Sequence, residues 1–463
     1  MSRPLPRFVI AAPASGHGKT TVASGLMAAL RARGRSVAPF KVGPDYIDPG
    51  YHTLATGRAG RNLDPVLCPG DLITPLLLHG SRTPEPADLA VIEGVMGLFD
   101  GQLGTQGYAS TAHIAQLTGS PIILVVDISH TSRTVAALVH GLATFEPGLH
   151  IAGVIFNKAG SVRHSDEAVA AMAATGVPVL GVLQRDAGIT APSRHLGLVP
   201  VAERDRAEES LGLLAEQIAG AIDLAAVERI AQQAAPLTGT PWDPAAAVAR
   251  IGDSAPVVAV AAGRAFTFRY PETTELLTAT GCRVVEFDPL TDPDLPAGTS
   301  GLYLGGGFPQ VYAESLGANH ALADTIAARV AAGLPTVAEC AGLLYLSRTL
   351  DRQPMAGVLP TDAAMHRRLT LGYRTAIAPA DTLVARAGER LRGHEFHRTR
   401  TDPGAGPDPA WLLDGTPEGF SLAPTGVPSV HASYLHTHWA GHPQSAYRFA
   451  TAVFAHQNTG VSR

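Results

Sequence analysis

"RFVIAAPASGHGKTTVASGLMAALRARG", residues 7–34, reads as a complete strand–turn–helix unit. The run Arg7–Ala12 is short, apolar and suited to a buried strand. From Thr20 onward the apolar positions share one helix face, and Gly34 follows like a C-cap. Between them lies "SGHGKTT", residues 15–21. Glycines in such a turn let backbone N–H groups converge on phosphate oxygens at the positive end of the helix. The nucleotide contact set is therefore Gly16, His17, Gly18, Lys19, Thr20 and Thr21, with Lys19 reaching terminal phosphates and the Thr20 hydroxyl on Mg²⁺. One position departs from the common pattern: Pro13 stands where the first glycine of the loop belongs.

Outward from this unit the same alternation continues. "SVAPFKV", "DLAVIEG", "PIILVVD", "IAGVIFN" and "VPVLGVL" read as buried strands separated by helical segments. That pattern predicts an α/β fold with a parallel sheet covered on both faces. Residues 234–256 carry four prolines and little periodicity. We therefore expect an N-terminal phosphate-loop domain over 1–235, a linker over 236–254 and a second α/β domain over 255–463. In the second, "VVAVAA", "CRVVEF", "GLYLGGG" and "LPTVAEC" restore the alternation, while "TDPGAGPDPAWLLDGTPEG" reads as an exposed loop.

Composition narrows the function classes. The 463 residues are 46% hydrophobic and 16% charged, with a net charge of −5, so no basic field favours nucleic acid. No apolar run reaches the length of a membrane span, and the N-terminus lacks a signal peptide's apolar core. Three widely spaced cysteines, Cys68, Cys282 and Cys340, form no CxxC pair and suit a reducing cytoplasm better than a disulfide framework.

Acids gather after the early strands. Glu93 ends the strand of "LAVIEGVMGLFDG", where parallel sheets place ligands, and is a candidate second Mg²⁺ ligand. Asp100 lies seven residues on. "FKVGPDYIDPGYH" brings Asp45, Tyr46 and Asp48 into turn-forming sequence, expected to be loop rather than helix. They could bind a polar substrate, hold a metal or cap turns.

"KVGPDYIDP", "EGVMGLFDG", "GGGFPQ", "AECAGL" and "SYLHTHW" occur in this order, and together they resemble the cobyrinic acid a,c-diamide synthase family along nearly the whole chain. The resemblance implies ATP- and glutamine-dependent amidation of two acetate carboxylates of hydrogenobyrinic or cobyrinic acid, with Mg²⁺. It makes Asp45, Tyr46, Asp48 and Asp100 substrate-side residues and leaves room for a homodimer. The N-terminal half also resembles dethiobiotin synthetase. That likeness puts Lys41 on the transferring phosphate, Asp64 and Glu93 with Thr20 around Mg²⁺, and Asn157 on the adenine. The C-terminal half looks like a class I glutamine amidotransferase. Cys340 is then the nucleophile at a strand-to-helix turn before the helix "LLYLSRTL", and His436 its base. Gly306, Gly307 and Ala341 would supply the oxyanion donors. Many such enzymes carry glutamate two positions after the histidine; this chain has His438, so the group that orients the imidazole is open. Two related amidotransferases, cobyric acid synthase and nickel-sirohydrochlorin diamide synthase, share the layout. A partitioning-type ATPase switch fits less well, because Ala14 replaces its signature lysine.

Overall fold

The computed structural model describes residues 5–185 and 204–461, without side chains at 204–207, 460 and 461. The chain divides into two compact units, Met1–Trp242 and Asp243–Arg463. The division falls inside the proline-rich stretch, which is not featureless. Trp242 is buried, its ring edge-on to His79, and the Asp243 side chain caps the short helix Pro244–Ala247.

The first unit is a seven-stranded parallel sheet in the order β3-β2-β4-β1-β5-β6-β7. Its strands are β1 (Arg7–Ala11), β2 (Val37–Val42), β3 (Arg61–Leu63), β4 (Leu89–Glu93), β5 (Ile122–Asp127), β6 (Ile151–Ala159) and β7 (Val179–Gln184). The central strands β1 and β4 are buried at every position because helices cover both faces. On one face α1 (Lys19–Ala32) packs with helices Arg204–Ala221 and Leu224–Gln232, joining Ile10, Leu26, Ile123, Leu214, Ile218 and Ile230 in one core. The parallel direction sends the ends of β1, β2, β4, β5 and β6 to the same edge.

One expectation is corrected here. The segment after β2 is not loop throughout, since α2 (Asp48–Thr56) begins at Asp48. Asp48-Pro49-Gly50 has the composition of a turn, but proline in the first turn of a helix loses no hydrogen bond there.

The second unit holds a sheet of β8 (Val257–Ala261), β9 (Arg283–Phe287), β10 (Thr299–Leu304) and β11 (Thr336–Glu339), parallel and ordered β11-β10-β8-β9. Strand Val430–Ser433 continues it parallel to β11. In a second sheet the long strands are antiparallel: Asp362–Ile377 pairs with Arg390–Asp402, which pairs with His436–Thr437. The stretch expected as an exposed loop after residue 401 instead contains paired strands Trp411–Leu413 and Thr416–Glu418, with Trp411 fully buried. Its glycines and prolines end the strands rather than abolish them. No described helix is long and apolar enough to cross a membrane.

Candidate active site

In the first unit, the turn after β1 is held open by Gly16 and Gly18, both at positive φ (87° and 90°). Gly18 must also stay small, since a Cβ there would collide with the Asn157 amide. Asn157 reaches the turn from β6: its Nδ2 donates to the His17 carbonyl at 2.9 Å and its Oδ1 accepts from Lys158 N–H at 2.9 Å. That places it as a brace behind the loop. Lys158 adds a second brace, donating to the Gly16 carbonyl at 2.8 Å and pairing with Asp127 at 2.7 Å. His17 Nδ1 accepts from the Asp127 N–H at 2.9 Å. Lys19 donates to the carbonyls of Ala14 and Met96. Burial, then the neighbouring Lys41 charge, pulls its ammonium down to about 8. Thr21 follows in the first turn of α1.

Beside the loop lies a buried charge cluster. Thr20 Oγ1 donates to Glu93 Oε1 at 2.7 Å and lies 3.2 Å from Asp48 Oδ2. Lys41 Nζ bridges the same carboxylates, 2.6 Å from Asp48 and 2.9 Å from Glu93. His52, fully buried in α2, meets Glu93 Oε2 at 2.6 Å. Burial pulls the Lys41 ammonium down, but Glu93, Asp48 and Asp45 outweigh it and hold its pKa above the ordinary lysine value. For Glu93, burial acts upward and is overcome by Lys41 and His52. Asp48 goes the other way: burial, then the Glu93 charge, pushes it up to about 7. His52 was missed in sequence because it sits in an unremarkable "GYH" and only the helix brings it under Glu93.

Three other acids hold backbone turns at their positions. Asp45 Oδ1 accepts the N–H groups of Ile47 and Asp48, at 2.7 and 3.1 Å, and so caps the start of α2. Asp64 Oδ1 accepts from Val66 and Leu67, at 2.8 and 3.2 Å, just past β3. Asp100 Oδ2 accepts from Gly97 N–H at 3.0 Å, closing the turn after β4, and its charge reaches Lys19. Tyr46 is buried between Asp45 and α2.

Among the described residues no three His, Cys, Asp or Glu side chains form a metal cage by themselves. Mg²⁺ rarely uses one; it takes one or two protein oxygens and completes its shell with phosphate and water. Thr20, Glu93 and Asp48 bring hard oxygen donors to one place beside the phosphate loop. The donor set therefore fits Mg²⁺.

In the second unit, Cys340 has φ 49° and ψ −94°, a strained turn between β11 and helix Ala341–Leu346. The helix is shorter than expected, because Thr349–Leu350 turns into a strand. Cys340 N–H donates to Ser433 O at 2.8 Å, and Gly342 N–H to Gly305 O at 3.1 Å. These bonds pin the elbow to both neighbouring strands. His436 is almost wholly buried, and the charges and hydrogen bonds of Cys340 and Glu339 outweigh burial to raise its pKa to about 10.

Gly306, an expected oxyanion donor, has a backbone partner of its own. Its N–H already donates to Phe268 O at 3.0 Å, in a reciprocal bridge. What requires glycine there is the imidazole, whose Cε1 lies 2.5 Å from where a Cβ would stand. His438 is turned elsewhere, its ring tilted over Tyr270 with centroids 4.0 Å apart, and 3.7 Å from Glu272.

Behind Cys340, Glu418 accepts from the Ser433 hydroxyl at 2.6 Å and Tyr434 N–H at 2.7 Å, and burial pushes it up to about 7. Glu395 pairs with Arg374 at 2.6 Å, and His397 stacks on Tyr434 at 3.8 Å. His394 stands opposite His436 in the sheet; burial, then the His436 charge, holds it down at about 3. A strained thiol beside a buried imidazole is equipped for covalent attack on a carboxamide.

Residues 8–199 match the CobQ/CobB/MinD/ParA nucleotide binding domain, and 257–444 the CobB/CobQ-like glutamine amidotransferase domain. The chain is 58% identical to hydrogenobyrinate a,c-diamide synthase of Thermobifida fusca (strain YX), covering 97% of each. Its counterpart from Streptomyces coelicolor is 52% identical, covering 96% of this chain and 97% of that one. Cobyrinate a,c-diamide synthase of Synechococcus sp. is 40% identical, over 98% of this chain and 100% of that one. With a phosphate loop over a charged cluster in one unit and a thiol–imidazole pair in the other, the chain belongs to the a,c-diamide synthase family of ATP-dependent glutamine amidotransferases.

Proposed function

We propose that the chain converts the a and c acetate carboxylates of hydrogenobyrinic acid to amides, in two successive turnovers. The observation that carries this reading is the presence of two different half-sites in one chain, each incomplete as an enzyme for amide synthesis. A carboxylate has a poor leaving group, and neutral ammonia is scarce at physiological pH. One half-site answers the first difficulty and the other the second.

In the first, Lys19 and the loop amides hold the ATP phosphates, while Lys41 faces the phosphoryl group in transfer. A substrate carboxylate oxygen attacks the γ-phosphorus, ADP departs, and an acyl phosphate results. Thr20 and Glu93, with Asp48 beside them, would hold Mg²⁺; when bound, the ion neutralises charge on the phosphates. We give Asp64 and Asp45 capping roles, and Asn157 and Lys158 the task of bracing the loop. Tyr46 and Asp100 face the substrate side.

In the second, His436 takes the Cys340 proton and the thiolate attacks the glutamine carboxamide. Gly307 and Ala341 N–H groups receive the oxyanion, in place of Gly306. The imidazolium protonates the departing ammonia, and water then hydrolyses the thioester to glutamate. Ammonia displaces phosphate from the activated acid. We place the reaction in the cytoplasm, where ATP is available and three cysteines outside any disulfide stay reduced.

The preference for the cobalt-free macrocycle follows the names of the relatives at 58 and 52% identity over those at 40%. Mass spectrometry of products from hydrogenobyrinic and cobyrinic acids, each with ATP, Mg²⁺ and glutamine, tests it. Two carboxyl-to-amide conversions, faster on hydrogenobyrinic acid, are expected. Faster turnover of cobyrinic acid would reverse the assignment, and amidation of other side chains would overturn it.

A further inference from the structure

Glu339 directly precedes the nucleophile in the sequence, and β11 ends on it. Its carboxylate is turned back toward the histidine strand. Oε2 lies 3.5 Å from His436 Nδ1 and accepts from the Tyr303 hydroxyl at 3.2 Å. Oε1 accepts from the Thr437 hydroxyl at 3.2 Å. Thr437 is itself aimed, because its oxygen accepts from Trp439 Nε1–H at 3.2 Å and so its own hydrogen is directed to Glu339. Trp439 in turn packs edge-on against Tyr303. The segment Thr437-His438-Trp439 thus folds its outer residues around one acid. We propose that Glu339 is the positioning acid of the amidotransferase site, fixing the His436 ring through Nδ1 so that Nε2 serves Cys340.

This rests on the amidotransferase reading of Cys340 and His436. In an imidazole that shuttles protons, one nitrogen must be committed so that the other is available, and an acid at that nitrogen also stabilises the imidazolium. Position 438 does not supply that acid, since His438 faces Glu272 and Tyr270. A distance of 3.5 Å is long for a finished hydrogen bond, but such contacts tighten when substrate closes the site. The groups facing His436 are Cys340 and Glu339 from β11 and its elbow, and His394 from the strand Arg390–Asp402. Of these only Glu339 carries the charge that favours the imidazolium without taking part in the bond to be made.

The test is E339Q, assayed for glutamine hydrolysis and for alkylation of Cys340 by iodoacetamide across pH. The expected loss is on the order of 10²-fold in kcat for glutamine, with KM changed far less. Loss of the carboxylate withdraws support from the imidazolium, so the upper limb of the alkylation profile should move to lower pH. Ammonium-supported synthesis should stay near the wild-type rate, which separates failure of this proposal from failure of the amidotransferase reading. E339D should recover part of kcat, and H438Q should leave the alkylation profile in place. If E339Q proves unstable, T437V decides, because it keeps the acid but removes a hydroxyl that aims it; a smaller shift in the same direction is expected. An unchanged profile in E339Q or, failing it, in T437V would overturn the proposal, as would a shift produced by H438Q instead.

Discussion

A buried ammonium shared by two carboxylates tolerates little change. Lys41 is that group, 2.6 Å from Asp48 and 2.9 Å from Glu93. Deleting one partner of such a cluster typically costs about 3–5 kcal/mol, because the remaining charges stay buried without compensation. Lys41→Met should therefore lower the stability of the first unit by about that amount. Added Mg²⁺ should restore part of the loss, since a divalent cation supplies the missing positive charge. Thermal melts with and without Mg²⁺ check this; a loss that Mg²⁺ does not relieve would mean the cluster is no cation site. Lys19→Ala tests the neighbouring group. It should cut synthesis on the order of 10²- to 10³-fold with either glutamine or ammonium as nitrogen source. Near-normal amidation would remove the phosphate loop from the reaction. At this scale the sequence exposes residues that sit in recognisable company, such as Lys19, Thr20 and Glu93. His52 and Glu339 gain meaning only from partners 41 and 97 positions away, Glu93 and His436, and nothing adjacent to them announces the pairing.

Strands differ in how openly they declare themselves. β1, β4 and β5 are buried on both faces and read as apolar runs with a charged residue only at one end. The antiparallel pair Asp362–Ile377 and Arg390–Asp402 is only partly buried, and arginines, histidines and threonines interrupt its apolar residues. A search for apolar runs passes over it, although it carries His394 and Glu395. The hairpin Trp411–Glu418 is hidden by its flanking prolines and glycines in the same way. Its function is to deliver Glu418 under Ser433 and Tyr434, immediately before the histidine strand. Trp411 is its anchor, 1% exposed and edge-on to His431. Trp411→Ala should cost about 3–5 kcal/mol in the second unit. The variant should lose glutamine hydrolysis well before ammonium-supported synthesis as temperature rises. Parallel loss of both activities would show that the hairpin supports more than the thiol site.

The molecule as a whole divides one amide bond between two chemistries. Both compact units place their reactive groups where parallel strands end: Lys41 and Glu93 near the ends of β2 and β4, Cys340 directly after β11. The alternation of strand and helix in both units is why the α/β class could be read from the sequence. What could not be read is which neighbours complete each centre, since those come from helices and strands far away in the chain. The division of labour itself is open to a direct measurement: synthesis of the diamide by Cys340→Ala with glutamine and, separately, with concentrated ammonium salt. Glutamine-supported synthesis should be abolished while ammonium-supported synthesis continues at a rate close to the wild type, still requiring ATP. Full glutamine-dependent activity in Cys340→Ala, or loss of both activities in a folded variant, would contradict it.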